Sequence, residues 1–546
     1  MTTFTKIHGD ETPLIEVDAA KRLSKIDPMI YGGFTEHMGR CIYGGIYDPG
    51  NSLSDTNGFR KDVIAALREL SVPVIRYPGG NFTATYHWQD GIGPRENRPS
   101  RPELAWLGVE TNHFGTDEFM LWLEELSSSS SPGNRVEPYI CLNMGTGTLD
   151  EALAWVEYCN GTQNTHYANL RRSNGHEAPY NVKYWALGNE IWGPWQVEQM
   201  SATDYAKKAT QWAKALRLLD PNIVLVLCGQ DGNATWDFEV LQACVHLVDM
   251  HSIHMYTAPQ GHAPPPNSFP TDWHLKNATN PLPAPSTSSF PSSISQQHLK
   301  NVTAPLSAET SIKITSSLIS LSRITNGVPA SKPPTKICFD EWNVWDPLRA
   351  PGDLGAEETY TLSDSLAVAV WLNVFVRQSA YMGMACLAQS VNVISTLMTT
   401  PNGIVKQATW YPLLLFTRYM RGTAIATHVR SGVYSGPTQP AWLEGSLKAE
   451  RDGGGAPWLD VSAAVDEKGY VSLSVVNISD AEDFETEIKG VESGREVAVY
   501  TVTAAGLTAT NTEANEEVGL HEGNWSGEGV YRFPKHSFTM LRWKSR

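Results

Sequence analysis

"VKYWALGNE", residues 182–190, runs through aromatic and aliphatic positions with almost no polar interruption and then stops on an amide and a carboxylate, Asn189 and Glu190. A short run of this kind fits a parallel strand covered on both faces better than a half-exposed strand, which would alternate. The carboxylate at its end is the informative part. Burying it is costly unless it is paired or opens onto a cleft. "KICFDEWN", residues 336–343, has the same build around Glu341. Six further runs complete a series of eight: "MIYGGFTEH" (29–37), "VPVIRYPGGN" (72–81), "VEPYICLNMG" (136–145), "NIVLVLCGQ" (222–230), "LVDMHSIHMY" (247–256) and "MACLAQSVN" (384–392).

The segments between these runs carry helical spacing. "KDVIAALREL" (61–70) places Val63, Leu67 and Leu70 on one face. Residues 201–220 align Tyr205, Ala209, Trp212, Leu216 and Leu219, with Ser201 and Asp204 as an N-terminal capping pair. Eight alternating units predict a (β/α)8 barrel over residues 20–424. Residues 258–306, rich in Pro, Ser, Thr and Asn, read as a long loop inserted after the sixth strand, and Ile314, Leu318 and Leu321 then resume a helix. The Ser-rich tract at 127–133 reads as a surface connection. Beyond residue 425 the pattern changes to alternating strands such as "YVSLSVVNIS" (470–479) and "HSFTMLRWK" (536–544). They predict a C-terminal antiparallel β-sandwich, jelly-roll-like, formed by residues 1–19 with 425–546.

Composition narrows the function. A formal charge of −16 argues against a nucleic-acid partner, because phosphate binding needs a basic surface. No apolar run is long enough to span a bilayer. The first residues lack a charged-then-apolar leader, so the chain reads as cytoplasmic, or as secreted if a leader has been removed. Seven cysteines form no C-x-x-C pair and four sit inside strand-like runs, which disfavours a zinc or disulfide framework. Sequons occur at Asn81, Asn160, Asn233, Asn277, Asn301, Asn477 and Asn524. The 18 Trp and 20 Tyr suit sugar rings or simply a large aromatic core.

In such a barrel the working groups stand at the C-terminal ends of the strands. Those ends carry Glu36 and His37, Arg76 with Asn81, Asn143, Asn189 with Glu190, Gln230, His254 with Tyr256, Glu341, and Gln389. Glu190 and Glu341 close strands four and seven, so barrel closure faces them across one mouth. Two carboxylates flanking a sugar are what glycoside hydrolysis needs. Asn189 is placed to bond a sugar 2-hydroxyl, and Arg76 and Tyr256 to keep one carboxylate ionised. The histidines of "HLVDMHSIHMY" suggest a metal centre as a rival. On a strand, however, His254 and Tyr256 share one face while His251 points to the other, so no trio converges.

"RYPGGNF", "ALGNE", "HSIHMY" and "FDEWNVW", in this order, closely resemble the α-L-arabinofuranosidases of glycoside hydrolase family 51. "FTEHMGRCIYGGI" (34–46) and "GIVKQATWYP" (403–412) extend the likeness along the whole chain. The resemblance implies that Glu190 is the general acid/base and Glu341 the nucleophile of a retaining double displacement. Asn189 is then a sugar-binding partner, and Glu36, Arg76, Asn81, His254, Tyr256 and Gln407 match positions shaping a furanose pocket, with Trp345 bounding it. It implies no cofactor and no metal, an arabinose-containing oligosaccharide or polysaccharide such as arabinan or arabinoxylan as the partner, and a homo-oligomer. A β-xylosidase or endoglucanase of the same barrel clan is the alternative. The Pro/Ser-rich insertion is the departure from the family pattern.

Overall fold

The computed structural model describes residues 2–8, 11–127, 135–258, 293–450 and 454–545. Eight parallel strands close into a barrel: β1 (Gly32–Phe34), β2 (Val74–Tyr77), β3 (Glu137–Cys141), β4 (Tyr184–Leu187), β5 (Val224–Leu227), β6 (Met250–Thr257), β7 (Lys336–Val344) and β8 (Met382–Leu387), with β8 pairing back onto β1. Each overlaps one of the eight runs marked by the sequence; β6 and β7 run one residue past theirs, and β8 starts two residues before its own. The lack of polar alternation has a simple cause. Val74, Tyr139, Cys141, Ala186, Val226, Cys338 and Met384 fill the barrel interior, while Ile75, Ile140, Trp185, Leu187, Leu225, Ile337 and Phe339 face the surrounding helices. Both faces are apolar, and burying each large aliphatic side chain contributes about 1.5–3 kcal/mol.

The helices follow the spacing with two corrections. Lys61–Glu69 buries Val63 and Leu67. Ala202–Leu219 is capped by Ser201, whose hydroxyl accepts from the Asp204 N–H at 3.2 Å. The insertion read as a loop over 258–306 ends earlier than expected. Ile294–Thr303 is a helix capped by Ser293, and Leu306–Thr325 follows it; residues 259–292 lie outside the described residues. The shorter helix escaped detection because its packed face is partly polar. His298 contacts the Ile478 carbonyl at 3.0 Å, and the Asn301 amide donates to Asp364 at 2.9 Å. In Leu306–Thr325 the buried face is Ile312, Thr315, Ile319 and Ser322, whereas Ile314 and Leu321 are exposed. Small polar residues bury with their hydroxyls satisfied inside the helix, as Thr315 does on Ser311, and that hides the true stripe.

The C-terminal strands, joined by two from the N-terminus, form the expected antiparallel-rich sheet domain, linked by one continuous hydrogen-bonding path. Its order is Gly519–Trp525, Val497–Thr503, Ser537–Lys544, Tyr470–Asn477, Leu459–Val465, Thr423–Ser431, Leu14–Lys25, Phe484–Lys489 and Val530–Phe533, with Thr2–Lys6 alongside Thr423–Ser431. Two pairings are parallel: Thr2–Lys6 on Thr423–Ser431, and Leu14–Lys25 on Phe484–Lys489. The sheet wraps a core of Ile15, Val17, Val429, Val461, Leu473, Leu541 and Trp543. It is tied to the barrel by Arg377 of helix Leu362–Arg377, which bonds Asp460 at 2.9 Å and Glu309 at 3.0 Å.

All seven cysteines are buried and free. Most of the aromatic excess is core: Trp88, Trp122, Trp155, Trp185, Trp342, Trp371 and Trp410 are almost fully buried. Among the described sequons, Asn301 and Asn477 are buried and Asn233 and Asn524 are exposed.

Candidate active site

The ends of β1, β2, β4, β6, β7 and β8 bring their polar residues to one mouth. Arg76, at the end of β2, is fully buried beneath it. Its Nη1 donates to Glu341 Oε1 at 2.5 Å, its Nη2 donates to Asn189 Oδ1 at 2.6 Å, and the guanidinium lies over the Phe34 ring at 4.6 Å. Burial opposes its charge, but Asp340 and Glu341 hold it well above the ordinary arginine value. Tyr256 donates to the other Glu341 oxygen at 2.7 Å. Burial and the Glu341 charge push its phenol up, so it stays a donor.

Asp340 and Glu341 are consecutive, and in a regular strand they would face opposite sides. The β7–β8 pairing shifts register between Phe339 and Trp342, and the β6–β7 pairing shifts between Ser252 and His254. These irregularities let both carboxylates face Arg76. Asp340 Oδ2 lies 3.5 Å from Arg76 Nε and accepts from Tyr139 Oη at 2.7 Å, while its Oδ1 accepts from Ser252 and faces His254 Nε2 at 3.3 Å. Burial alone would raise this carboxyl; Arg76 and His254 override that and hold it well below the usual range. Asp340 stands inside a motif quoted from the sequence, yet only its neighbour was singled out. Strand parity gave no reason to turn both residues inward.

Glu190 sits in the loop after β4 with φ of 45°, a left-handed conformation that a non-glycine residue adopts at a cost of about 1–3 kcal/mol. That turn aims its carboxylate back over the barrel. Oε1 meets His254 Nδ1 at 3.1 Å, and Oε2 accepts from Trp195 Nε1 at 3.0 Å. Trp192 packs beneath instead, donating to the Gly229 carbonyl at 3.0 Å and meeting Trp195 edge-on at 5.0 Å between centroids. Asn189 donates to Asn81 Oδ1 at 3.2 Å, which accepts from Trp195 as well. His254 therefore stands between Glu190 and Asp340, with Glu341 Oε2 at 3.7 Å from its Nδ1. Burial works against its charge, but Glu341 and Asp340 push it up to about 10. His251 points away and bonds buried Asp237 at 2.8 Å, as strand parity requires.

Glu36 closes the other side. Its Oε1 accepts from the Phe82 N–H and from Trp106 Nε1, both at 3.1 Å, and its Oε2 accepts from Gln389 Nε2 at 2.9 Å. Burial first, and then the Glu341 charge, raise its carboxyl to about 7. Trp345 meets the Tyr256 ring at 5.5 Å, nearly perpendicular, and its own N–H donates to the Ala350 carbonyl at 2.9 Å. Gly80 brings the backbone close to three of these side chains: a Cβ there would lie 2.8 Å from Glu341 Oε1 and 3.5 Å from both Asn189 Nδ2 and Glu36 Oε2.

Nine of the ten residues singled out by the sequence belong to this network: Glu36, Arg76, Asn81, Asn189, Glu190, His254, Tyr256, Glu341 and Trp345. Gln407 does not. Its amide donates to the backbone carbonyls of Glu358 and Ser395 at 2.9 and 2.6 Å, and its oxygen accepts from the Tyr360 N–H at 2.9 Å. It props up the chain behind the pocket. Gln389, which follows β8, is the glutamine that bonds Glu36. Trp106 and Trp195 lie in loops with no strand or helix period, so nothing local marked them.

Glu190, His254 and Glu341 form the one group among the described residues whose atoms suit a metal ion, with one oxygen or nitrogen from each within 4.8 Å of the others. In the resting site the cationic imidazole already lies between the carboxylates.

The chain matches the α-L-arabinofuranosidase 1 domain over residues 66–274 and the α-L-arabinofuranosidase C-terminal domain over residues 340–537. It is 59% identical over 557 residues to a probable α-L-arabinofuranosidase C of Aspergillus fumigatus, covering 100% of both chains. It is 33% identical to the intracellular exo-α-(1→5)-L-arabinofuranosidase 1 of Bacillus subtilis, over 96% of this chain and 97% of that one. The thermostable GH51 α-L-arabinofuranosidase of Thermotoga petrophila superposes with a TM-score of 0.81 at 34% identity, over 98% of this chain and 100% of that one. With strand order, site and relatives in agreement, the chain belongs to the α-L-arabinofuranosidases of glycoside hydrolase family 51.

Proposed function

We propose that the protein releases terminal α-L-arabinofuranosyl residues from arabinose-containing oligosaccharides or polysaccharides with retention of configuration. The observation that carries this reading is the spacing of the two carboxylates, one oxygen of each lying within 4.8 Å of the other. Inverting pairs stand about 6.5–9.5 Å apart to admit a water, and retaining pairs about 5–5.5 Å.

Glu341 is the nucleophile in this reading. Arg76 and Tyr256 each hold one of its oxygens, which fixes the carboxylate for attack on the anomeric carbon. Glu190 protonates the leaving oxygen as the glycosidic bond breaks. It then removes a proton from the water that hydrolyses the arabinosyl ester, returning Glu341 as the free carboxylate. The Trp195 N–H and His254 orient Glu190 through both steps. Asn189, fixed by Arg76 and Asn81, offers its amide to a ring hydroxyl, and Glu36, Gln389 and Trp106 line the far side of the furanose. The catalytic cycle needs no cofactor. A cytoplasmic location fits the relative named intracellular and the lack, among described residues, of any helix long and apolar enough to cross a membrane.

Product analysis by NMR on an aryl α-L-arabinofuranoside tests substrate and stereochemistry together. The retained anomer is expected to appear first. An inverted first product, or turnover of xylosides and glucosides but not of the arabinofuranoside, defeats the proposal. Glu341→Ala is expected to be inactive and to regain turnover with azide, giving the inverted arabinosyl azide.

A further inference from the structure

The catalytic cycle leaves unexplained why His254 is backed so completely. A general acid needs an orienting neighbour. It does not need that neighbour's other nitrogen held against a buried carboxylate that two hydroxyls and a guanidinium fix in turn. We propose that Glu190, His254 and Glu341 form a binding site for a borderline divalent ion such as Zn2+, and that occupancy of this site blocks the reaction.

The donors sit at the corners of a small triangle. His254 Nδ1 is 3.1 Å from Glu190 Oε1 and 3.7 Å from Glu341 Oε2, and the two carboxylate oxygens close the third side within 4.8 Å. Zinc bonds of about 2.0–2.2 Å place neighbouring donors roughly 3.3 Å apart, so the two imidazole sides match to within about 0.4 Å and the carboxylate side closes by at most about 1.5 Å. The donor set of one imidazole and two carboxylates suits zinc and leaves its fourth position open. Magnesium and calcium prefer all-oxygen shells.

Each donor also has the outer partner that metal sites require. His254 Nε2 faces Asp340 Oδ1 at 3.3 Å, the carboxylate–imidazole–metal relay that fixes ring orientation. Asp340 is itself held by Tyr139 and Ser252. Trp195 donates to the Glu190 oxygen left free, and Arg76 donates to the one left on Glu341. On binding, the ion replaces the proton on Nδ1, which leaves to solvent. The lone pairs of both carboxylates are then engaged, so neither attack on the anomeric carbon nor protonation of the leaving group is available. The seven cysteines are all buried and offer no competing exposed thiolate site.

The ion-binding claim rests on geometry alone; the block rests on the roles proposed above. Metal-free full-length protein is dialysed to equilibrium against Zn2+ and, separately, titrated with Co2+ while visible absorption is read. The expected result is one ion per chain, cobalt bands of a four- or five-coordinate site, inhibition competitive with aryl α-L-arabinofuranoside, and no effect of Mg2+. His254→Asn and Glu190→Gln each lose the ion while keeping the native circular dichroism. Asp340→Asn weakens binding by about 10–100-fold, and His521→Ala, at an exposed position, leaves it unchanged. Zinc retained equally by His254→Asn and Glu190→Gln, or inhibition that substrate does not relieve, overturns the proposal. If the arabinofuranoside is not turned over, the activity reading fails while dialysis still decides the site.

Discussion

Gly80→Ala puts one methyl group where the barrel mouth has little room for it. The new Cβ lies 2.8 Å from Glu341 Oε1. Carbon–oxygen contacts settle at about 3.3–3.6 Å, so the carboxylate must retreat by roughly 0.5 Å or more. A free glutamate would swing away at little cost. This one is held by Arg76 at 2.5 Å and Tyr256 at 2.7 Å, so the shift is taken from the bonds that fix its two oxygens. The same methyl lies 3.5 Å from Asn189 Nδ2 and Glu36 Oε2 and takes up space at the barrel mouth. A misplacement of about 1 Å costs on the order of 10²-fold in rate. Half that distance plus the lost volume gives an expected fall of about 10²-fold in kcat/KM, or about 2.7 kcal/mol of transition-state stabilisation. Steady-state kinetics on an aryl α-L-arabinofuranoside, alongside thermal unfolding, provides the assay. Gly403→Ala is the control, since nothing lies within 4 Å of its added methyl. Gly80→Ala with kcat/KM within about threefold of wild type would falsify the placement of Gly80 against Glu341.

Three further outcomes follow from the same geometry. Asp340→Asn leaves Arg76 and His254 short of a buried counter-charge, which costs about 3–5 kcal/mol of stability; the imidazole should titrate lower, and an unchanged melting temperature together with an unchanged pH–rate profile would contradict the network. Gln389→Ala should raise KM with little loss of stability, whereas Gln407→Ala should lower the melting temperature by unpairing backbone groups of residues 358–360 and 395, a contrast that kinetics and calorimetry resolve. Glu358, buried with Asp346 and Asp364 around Arg349, is raised to about 7 chiefly by burial, against the pull of Arg349. Its contribution to stability is full below the unfolded value near 4.5 and lost as pH rises through about 7, up to about 3 kcal/mol, so calorimetry across that window should show a decline that Glu358→Gln flattens.

The sequence carried the barrel well because each strand is a compact apolar run with chemistry at one end. The pairing of Glu190 with Glu341 needed only strand count and closure. What stayed hidden has physical reasons. The inward turn of Asp340 depends on two register shifts that leave no local trace. Trp106 and Trp195 are loop residues placed by tertiary packing. Gln407 and Gln389 are the same residue type within one stretch of chain, and only the hydrogen-bond partners separate a backbone prop from a pocket wall. The helix Ile294–Thr303 went unseen because His298 and Asn301 bury polar groups, so its packed face does not look apolar. The offset face of Leu306–Thr325 has the same origin in Thr315 and Ser322.

The strand Leu14–Lys25 lies between Thr423–Ser431 and Phe484–Lys489. It is synthesised early, yet its neighbours lie about 400 residues further along the chain. At roughly 5–20 residues per second the nascent chain spends on the order of 20–80 s with this strand unpaired while the barrel emerges behind it. The strand is thus made early and paired late. A protein released early, by truncation before residue 423, would carry a closed barrel and an exposed strand with no place to dock. That makes this early strand a natural handle for chaperones and a liability for aggregation.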